Sequence, residues 1–336
     1  MRTNGFSLRS TRREFLAGTL ALAASPAYAA RKYAPRIVCN MYYYVQLFST
    51  PFSYIWSKPD PLKPPPPGFA PPPNSTRAIV WTDEQWHRAL SEVQYAGYRR
   101  MEFLSQTVLA KPVADVQKLL DQYGLVANHL WHAGPLFPAA AQEKTIASSI
   151  EALECSKKLK CPEFFFDPFG DKGPLTDEEA RLQNRGLDRI GRETKDRGMT
   201  LCVHNHEGPM RYGAKEWRGV VSNTDPHLVF MCLDLDWTLH AGTDPFPLLH
   251  WAGDQGRLGA LHLRTQHKLI TDQTMEDGGD INFHKVADYL RQIQFDGPLV
   301  EETEWMKETK VTRSPRDNKK VARQWCESVF GVSAKT

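Results

Sequence analysis

Several features that often assign a function are missing from this sequence of 336 residues. No glycine-rich loop follows its first strand-like run, so a fold that cradles nucleotide phosphates is not indicated. No CxxC pair is present, which argues against zinc ribbons. No basic run is longer than that in "DNKK", so the chain shows no electrostatic footprint for nucleic acid.

The small positive charge of the chain belongs to its N-terminal residues. The whole sequence carries a formal net charge of +3. Residues 1–29 contain four arginines and one glutamate, so the remainder has no net formal charge. Because nucleic-acid binding depends on cationic surface, we expect no nucleic-acid partner.

The same N-terminal residues resemble an export signal. Arg12 and Arg13 precede a short apolar run, and an A-x-A pattern ends at Ala29. This combination is typical of a twin-arginine signal peptide covering residues 1–29. The apolar run at 15–24 is shorter than the roughly 20 residues that span a bilayer, so an anchor is disfavoured. We expect export by the twin-arginine machinery, a periplasmic or otherwise exported bacterial protein, and no stable membrane anchor after cleavage.

Short apolar runs alternate with longer amphipathic runs along the rest of the chain. Its 41% apolar and 11% aromatic residues suffice for a large core. Eight apolar runs are predicted strands: 35–43, 98–104, 125–131, 162–167, 199–205, 228–236, 258–264 and 297–302. Helices are predicted at 112–123, 141–160, 176–197 and 282–294, and a capping box at Thr82 and Gln85 with an exit at Gly97 marks another.

This alternation predicts a single α/β domain over residues 30–336, folded as a (β/α)8 TIM barrel. A doubly wound open sheet is the alternative, but eight sequential repeats without a phosphate loop favour a closed barrel. One proline-rich segment, 57–76, interrupts the alternation after the first strand and holds nine prolines. Proline excludes helix and interior strand there, so we expect an extended surface loop. It is either a stiff lid over the site or an inert insertion.

The six cysteines are open to two interpretations. Cys39, Cys202 and Cys232 lie inside apolar strand-like runs, where a free thiol packs as a small hydrophobe. Cys155 and Cys161 are close enough in sequence for a local disulfide in an exported protein, and the sequence leaves that pairing open.

Ionisable residues end the last four predicted strands on a shared face. Residues two apart in a strand point the same way, so His204 and His206 face the barrel interior with Cys202. The same rule groups Asp234 with Asp236, His262 with Arg264, and Glu302 with Glu304. Buried charges cost several kcal/mol each unless they are paired or bind a metal. Two nitrogens and two carboxylates from these strands would suit manganese, cobalt, iron or zinc.

The sequence resembles the sugar phosphate isomerase/epimerase family, the xylose-isomerase-like TIM barrels, over roughly residues 36–305. The resemblance lies in "GYRRMEF", "HNHE", "LDLDWTLHAGTDP", "LHLR", "DGGDINF" and "VEETE". It is closest to the HNHE-type branch, often exported, which is linked to isomerisation and to elimination or hydration of 3-keto-glycosides.

The resemblance implies one divalent metal ion, most simply manganese. The family takes its metal ligands from the ends of strands five to eight as Glu, Asp, His and Glu. By motif, Asp234, His262 and Glu302 match the last three, and His204 stands where the epimerases have the first glutamate. This departure replaces one member of the family's acid and base pair with an imidazole.

Further roles follow from the same resemblance. Glu302 is the expected catalytic base, and His206 or His129 is the expected proton donor. The substrate-binding candidates are Glu102, His129, His132, Trp237 and Arg264. Arg264 lies in "HLRT", where relatives have "HLKD", and unlike lysine it cannot readily release a proton. Glu207 has the opposite strand parity and is expected to leave the barrel interior.

The expected activity is a divalent-metal-dependent isomerisation or epimerisation of an unphosphorylated keto or aldo sugar through an enediolate. A 3-keto-glycoside lyase or hydratase would use the same residues. A non-catalytic carbohydrate-binding barrel is an alternative of another class, with a small sugar as its ligand. A metal-dependent endonuclease is disfavoured because basic surface is lacking.

Overall fold

Eight parallel strands close into a barrel in which each strand pairs with its neighbours in chain order and the last pairs with the first. The computed structural model describes residues 32–48, 79–168, 174–306 and 308–335. The strands are β1 (Arg36–Asn40), β2 (Arg100–Leu104), β3 (Val126–Ala133), β4 (Glu163–Asp167), β5 (Thr200–His204), β6 (Val229–Asp234), β7 (Leu258–Leu263) and β8 (Pro298–Glu301). All eight predicted strands are present, and the predicted (β/α)8 barrel is confirmed.

Helices surround the barrel. They are α1 (Tyr42–Phe48), α2 (Asp83–Ala96), α3 (Ser105–Leu109), α4 (Val113–Tyr123), α5 (Ala139–Lys158), α6 (Asp177–Asp196), α7 (Glu207–Asn223), α8 (Leu235–His240), α9 (Pro245–Asp254), α10 (Phe283–Gln292) and α11 (Pro315–Phe330). A small hairpin of Gln266–His267 and Ile270–Thr271 follows β7. Among the described residues, no helix combines the length and apolar character needed to cross a membrane.

Local signals explain where the helices begin and end. The predicted capping box of α2 is present: the Thr82 hydroxyl accepts a hydrogen bond from Gln85 N, and the Gln85 side chain accepts one from Thr82 N. Gly97 ends this helix with φ of 87°, a left-handed conformation that glycine adopts without strain. Helix α8 begins at Leu235, so Asp236 lies on a helix and not at the end of the predicted strand.

Side chains on each strand point alternately into the barrel and out toward the helices, so two apolar cores form, one on each face of the sheet. The inner core fills the barrel with Val38, Phe165, Cys202, Cys232, Ala260 and Val300. The outer core packs the opposite faces, including Leu201 and Val203, against the helices. All six cysteines are free thiols, and Cys39 is buried like the two in the inner core. Packing of Cys39, Cys202 and Cys232 as hydrophobes is therefore confirmed.

Two sequence predictions fall on residues that the structure does not describe. The export signal at 1–29 and the proline-rich loop at 57–76 lie outside the described ranges. Export and the lid or insertion roles stay predictions.

An ion pair lies between the barrel and α11. Lys319 Nζ is 3.1 and 2.9 Å from the two carboxylate oxygens of Glu301, and both side chains are almost fully buried. Tyr98 Oη and Thr303 Oγ1 donate further hydrogen bonds to the Glu301 carboxylate. The carboxylate thus has three donors that replace water, which makes its burial tolerable.

Removal of this lysine is expected to destabilise the barrel strongly. Lys319→Met leaves Glu301 buried without its counter-charge, and the free energy of unfolding should fall by about 3–5 kcal/mol in urea titration. Lys118→Met is the control, because Lys118 is 79% exposed and pairs with Asp115 at the surface, where ion pairs contribute little. Equal loss of stability in the two variants would contradict this role of Lys319.

Candidate functional site

Side chains from consecutive strands converge at the carboxyl ends of the barrel. His204 Nε2 lies 3.6 Å from Asp234 Oδ2, and the rings of His204 and His262 are 4.5 Å apart between centroids. His262 Nδ1 is 2.9 Å from Glu302 Oε2. All four side chains are buried, and the structure therefore brings together the residues that were predicted to hold a metal.

The arrangement around His204 fits a divalent ion. One ligand atom each from His204, Asp234 and His262 lies within 4.8 Å of the others. Within the described part of the chain, neither ring nitrogen of His204 has a hydrogen-bond partner, although the side chain is 3% exposed. Unpaired buried polar atoms are costly. Burial, and then His262, lower the pKa of His204, which keeps the imidazole in the neutral form that ligates metals.

Asn205 joins the end of β5 to the end of β6. Its Oδ1 accepts a hydrogen bond from Asp234 N at 3.0 Å, and its Nδ2 donates to Asp234 O at 3.3 Å. Asp234 Oδ1 in turn accepts from Trp237 N at 2.8 Å and caps α8. Because Oδ1 is engaged in this cap, Oδ2 is the oxygen that faces His204.

The Arg264 guanidinium lies among four acidic side chains and is 3% exposed. Nη2 contacts Asp234 Oδ2 and lies 3.5 Å from Glu302 Oε2, Nη1 contacts Glu304, and Nε is 3.5 Å from Asp236 Oδ2. Burial outweighs the attraction of Arg264 and raises the pKa of Glu304 to about 8. Burial opposes ionisation of Glu302 too, but Arg264 and His262 lower its pKa. Glu302 is therefore ionised at neutral pH, and Glu304 is largely protonated.

Asp167, at the end of β4, holds His206. Its Oδ2 lies 2.5 Å from His206 Nδ1, and Asp167 is buried whereas the His206 side chain is 42% exposed. The ring centroids of Trp131 and Trp237 are 6.1 and 5.6 Å from that of His206. Desolvation opposes charging of the imidazole, yet Asp167 more than offsets it and raises the pKa of His206 to about 9. His206 therefore carries a proton at neutral pH and lies among aromatic rings.

Glu102 and His129 lie deeper in the barrel. Glu102 Oε2 is 2.5 Å from His129 Nε2 and 3.2 Å from His262 Nε2. The other nitrogen of His129, Nδ1, is 3.0 Å from Asn128 Nδ2, and its ring stacks on Phe165 at 3.6 Å between centroids. Both nitrogens of His129 are thus engaged within the protein. Glu102 orients His262 from the side away from Glu302, as a carboxylate often orients a metal-binding histidine.

Comparison with known families places this geometry in context. Residues 90–329 match the family described as xylose isomerase-like TIM barrel. The chain belongs to this family. The match extends from within α2 to α11, and the predicted resemblance is confirmed.

Relatives of this xylose isomerase-like barrel include sugar enzymes. The inosose dehydratase of Mesomycoplasma hyopneumoniae (strain 7448) is 25% identical in an alignment of 191 positions. The alignment covers 49% of this chain and 61% of the relative, so the chain spans less than two thirds of that protein. A solved sugar phosphate isomerase/epimerase from Parabacteroides distasonis aligns over 89% of this chain and 96% of its own, with 17% identity and a TM-score of 0.63.

A second solved structure, D-allulose 3-epimerase from Methylomonas sp. in complex with D-allulose, aligns over 76% of this chain and 94% of its own. The identity is 18% and the TM-score 0.64. At such identities the two structures show a shared fold.

His132, one of the residues predicted to contact substrate, lies outside the candidate site of this xylose isomerase-like barrel. His132 is on the opposite face of β3 from His129, where its Nδ1 is 2.7 Å from Ser105 Oγ and its Nε2 is 3.1 Å from Ser148 Oγ. It packs between the barrel and the helices, so we leave it out of the candidate site. His129 and His132 in "HLWH" are three residues apart, so strand alternation predicts that they point to opposite faces. Glu207 also lies apart, paired with Arg211 at 2.9 Å, as its parity predicted.

Asp167 and Asn205 are the site residues that sequence reasoning missed. Asp167 is the last residue of "PEFFFD", and the same parity rule applied to this strand would have placed it on the inner face of the barrel, although not beside a particular residue. Asn205 acts through backbone contacts to the next strand, for which the sequence held no signal.

Loss of the Asn205 side chain should loosen the metal-facing end of β6. Asn205→Ala removes the hydrogen-bond acceptor of Asp234 N in a buried position, whereas Asp234 O still accepts a hydrogen bond from Thr238 Oγ1. The free energy of unfolding should therefore fall by about 1–3 kcal/mol. Asn223→Ala is the matched control, since Asn223 is exposed and its Nδ2 donates to Gly219 O at 2.8 Å. Urea titration measures both. A larger loss in the control would show that Asn205 does not hold the two strands together.

Proposed function

We propose that the protein is a divalent-metal-dependent sugar isomerase or epimerase that acts on an unphosphorylated keto or aldo sugar through an enediolate. The observation that carries this proposal is the convergence of His204, Asp234, His262 and Glu302 from four consecutive strands, with buried and unpartnered nitrogens on His204 among the described residues. Sugar epimerases and dehydratases among similar proteins support it.

The same four residues would hold the ion, and their two nitrogens and two carboxylates are compatible with manganese, cobalt, iron or zinc, of which we propose manganese. When bound, the ion polarises the carbonyl and hydroxyl oxygens of the sugar and stabilises the negative charge of the enediolate. Glu102 contacts His262 Nε2 and would thereby hold this metal-binding histidine in its orientation.

Glu302 is the base in this proposal. Its pKa is lowered, since the attraction of Arg264 and His262 exceeds the effect of burial, so an ionised oxygen is present at neutral pH. It lies at the open end of the barrel beyond the inner core residue Val300. From there it would take the proton on the carbon next to the sugar carbonyl.

His206 is the proton donor in this proposal, in preference to His129. Asp167 engages Nδ1 of His206, which leaves Nε2 for the substrate, and the side chain is 42% exposed. Both nitrogens of His129 are engaged by Asn128 and Glu102. Return of a proton to the neighbouring carbon gives an isomer, and return of a proton to the opposite face of the same carbon gives an epimer.

An unphosphorylated substrate suits the charge of the site. Arg264 already contacts Asp234 and Glu304, so this cation is not free to bind a phosphate. Asp167 and Glu302 add further negative charge. Trp237, which lies under the Arg264 guanidinium at 5.0 Å, offers a ring on which a neutral sugar could stack.

Elimination from the same intermediate is the second candidate. An enediolate that carries a leaving group on the next carbon can expel it, which would make the protein a lyase or hydratase of 3-keto-glycosides. The similarity to inosose dehydratases, which are named for loss of water, favours this alternative. The roles of Glu302 and His206 are unchanged.

The metal ligands can be tested without a substrate. Wild-type protein should bind one Mn²⁺ per chain in calorimetry, and His204→Ala and Asp234→Ala should each weaken binding by about a hundredfold or more, because each removes a ligand. His227→Ala, at an exposed position outside the cluster, should bind as the wild type does. Elemental analysis that finds no metal, together with intact sugar binding by the two alanine variants, would favour a non-catalytic carbohydrate-binding barrel.

The reaction can be tested in heavy water by NMR. D-Allulose, an inosose and a 3-keto-glucoside, each with its phosphorylated form where one exists, should be compared. Deuterium next to the carbonyl with other bonds intact indicates isomerisation or epimerisation, and loss of water or aglycone indicates elimination. Glu302→Gln should lower either rate by about 10²–10⁴-fold, since it removes the base. Glu207→Gln, which alters a carboxylate outside the site, should leave the rate unchanged.

A further inference from the structure

We propose that Arg264 and the divalent metal compete for Asp234 and Glu302. The guanidinium is the counter-ion of these carboxylates in the metal-free protein, and it weakens metal binding so that the ion is exchangeable. The inference rests on the metal site of the proposed function and adds a role for Arg264 that is distinct from substrate binding.

The same two oxygen atoms serve both cations. Asp234 Oδ1 is engaged by Trp237 N at 2.8 Å, so Oδ2 is left for His204 at 3.6 Å, and Oδ2 is also the atom that Arg264 Nη2 contacts. Glu302 Oε2 lies 2.9 Å from His262 Nδ1 and 3.5 Å from the same Nη2. Arg264 therefore reaches the oxygens that are closest to the two histidine ligands.

Arg264 is held in this position by residues that are not candidate ligands. Glu304 contacts Nη1, and Asp236 Oδ2 accepts a hydrogen bond from Arg264 N at 3.1 Å and lies 3.5 Å from Nε. The Trp237 ring lies 5.0 Å from Cζ. These contacts anchor the guanidinium, and they make its complete withdrawal costly.

The charge of Arg264 is permanent. A guanidinium stays protonated in proteins, whereas a buried lysine can lose its proton and with it the repulsion toward a nearby cation. A fixed positive charge beside the site attracts the ligand carboxylates and repels a divalent ion, and both effects lower metal affinity in a low-dielectric interior.

The same contacts explain how the barrel can fold before it binds metal. Without a cation, the carboxylates of Asp234 and Glu302 would be buried together at high cost. Arg264 offsets part of their negative charge from within the chain. The protein is thus expected to be stable in its metal-free form, and the ion is expected to add less stability than it would in a site without an arginine.

Calorimetric titration with Mn²⁺ tests the competition. Arg264→Gln removes the charge and should tighten Mn²⁺ binding by about tenfold or more. Arg264→Lys, whose ammonium group can lose its proton when the ion binds, should have an affinity between those of the wild type and the glutamine variant. Arg211→Gln removes a positive charge from α7, where Arg211 pairs with Glu207, and should leave the affinity unchanged. Without metal, the melting temperature of Arg264→Gln should be lower than that of the wild type, and Mn²⁺ should raise it by more.

A measurement on the wild-type protein covers the case in which Arg264→Gln does not fold. Titration with Zn²⁺ should shift the side-chain Nε signal of Arg264 in nitrogen-15 NMR, with the signal assigned by its absence from Arg264→Lys. Equal Mn²⁺ affinity in the glutamine variant and the wild type, or an Arg264 signal that does not move as Zn²⁺ binds, would overturn the inference while the metal site stands. Absence of metal binding in every variant would overturn the metal site and the inference together.

Discussion

The burial of several charges at one end of the barrel is the constraint on which the rest of the structure depends. Asp234, Glu302 and Arg264 are almost entirely withdrawn from water, and each would be unstable there alone. Mutual pairing resolves the cost, with Arg264 as the central cation and His262 as the link to Glu102. The Asp234 cap of α8 and the raised pKa of Glu304 belong to the same buried network.

Because side chains alternate along a strand, adjacent residues can take part in separate sets of contacts on opposite faces of the sheet. Glu301 and Glu302 are adjacent, yet Glu301 points outward to Lys319 and stabilises α11, whereas Glu302 points toward His262 at the open end. The same separation divides His129 from His132. A barrel of this kind can therefore hold an outer and an inner ion pair at the end of a single short strand, because successive side chains point to opposite faces of the sheet.

The candidate site has a proton-accepting side and a proton-donating side. Glu302 is ionised beside Arg264, and His206 is protonated beside Asp167, so opposite protonation states coexist at one pH because their neighbours differ. Such a pair suits chemistry that moves a proton between adjacent carbons. It equally suits expulsion of a leaving group.

The sequence by itself determined the eight strands, their inward faces and the convergence of ionisable residues, because alternation with a period of two is a local property that closure of the barrel preserves. Only the tertiary structure decided which of those residues touch. The four acidic neighbours of Arg264, the clamp of Asn205 on Asp234 and the pairing of Asp167 with His206 join strands that are far apart in the chain. Such contacts depend on the stagger and tilt of the closed barrel, which local sequence patterns do not encode.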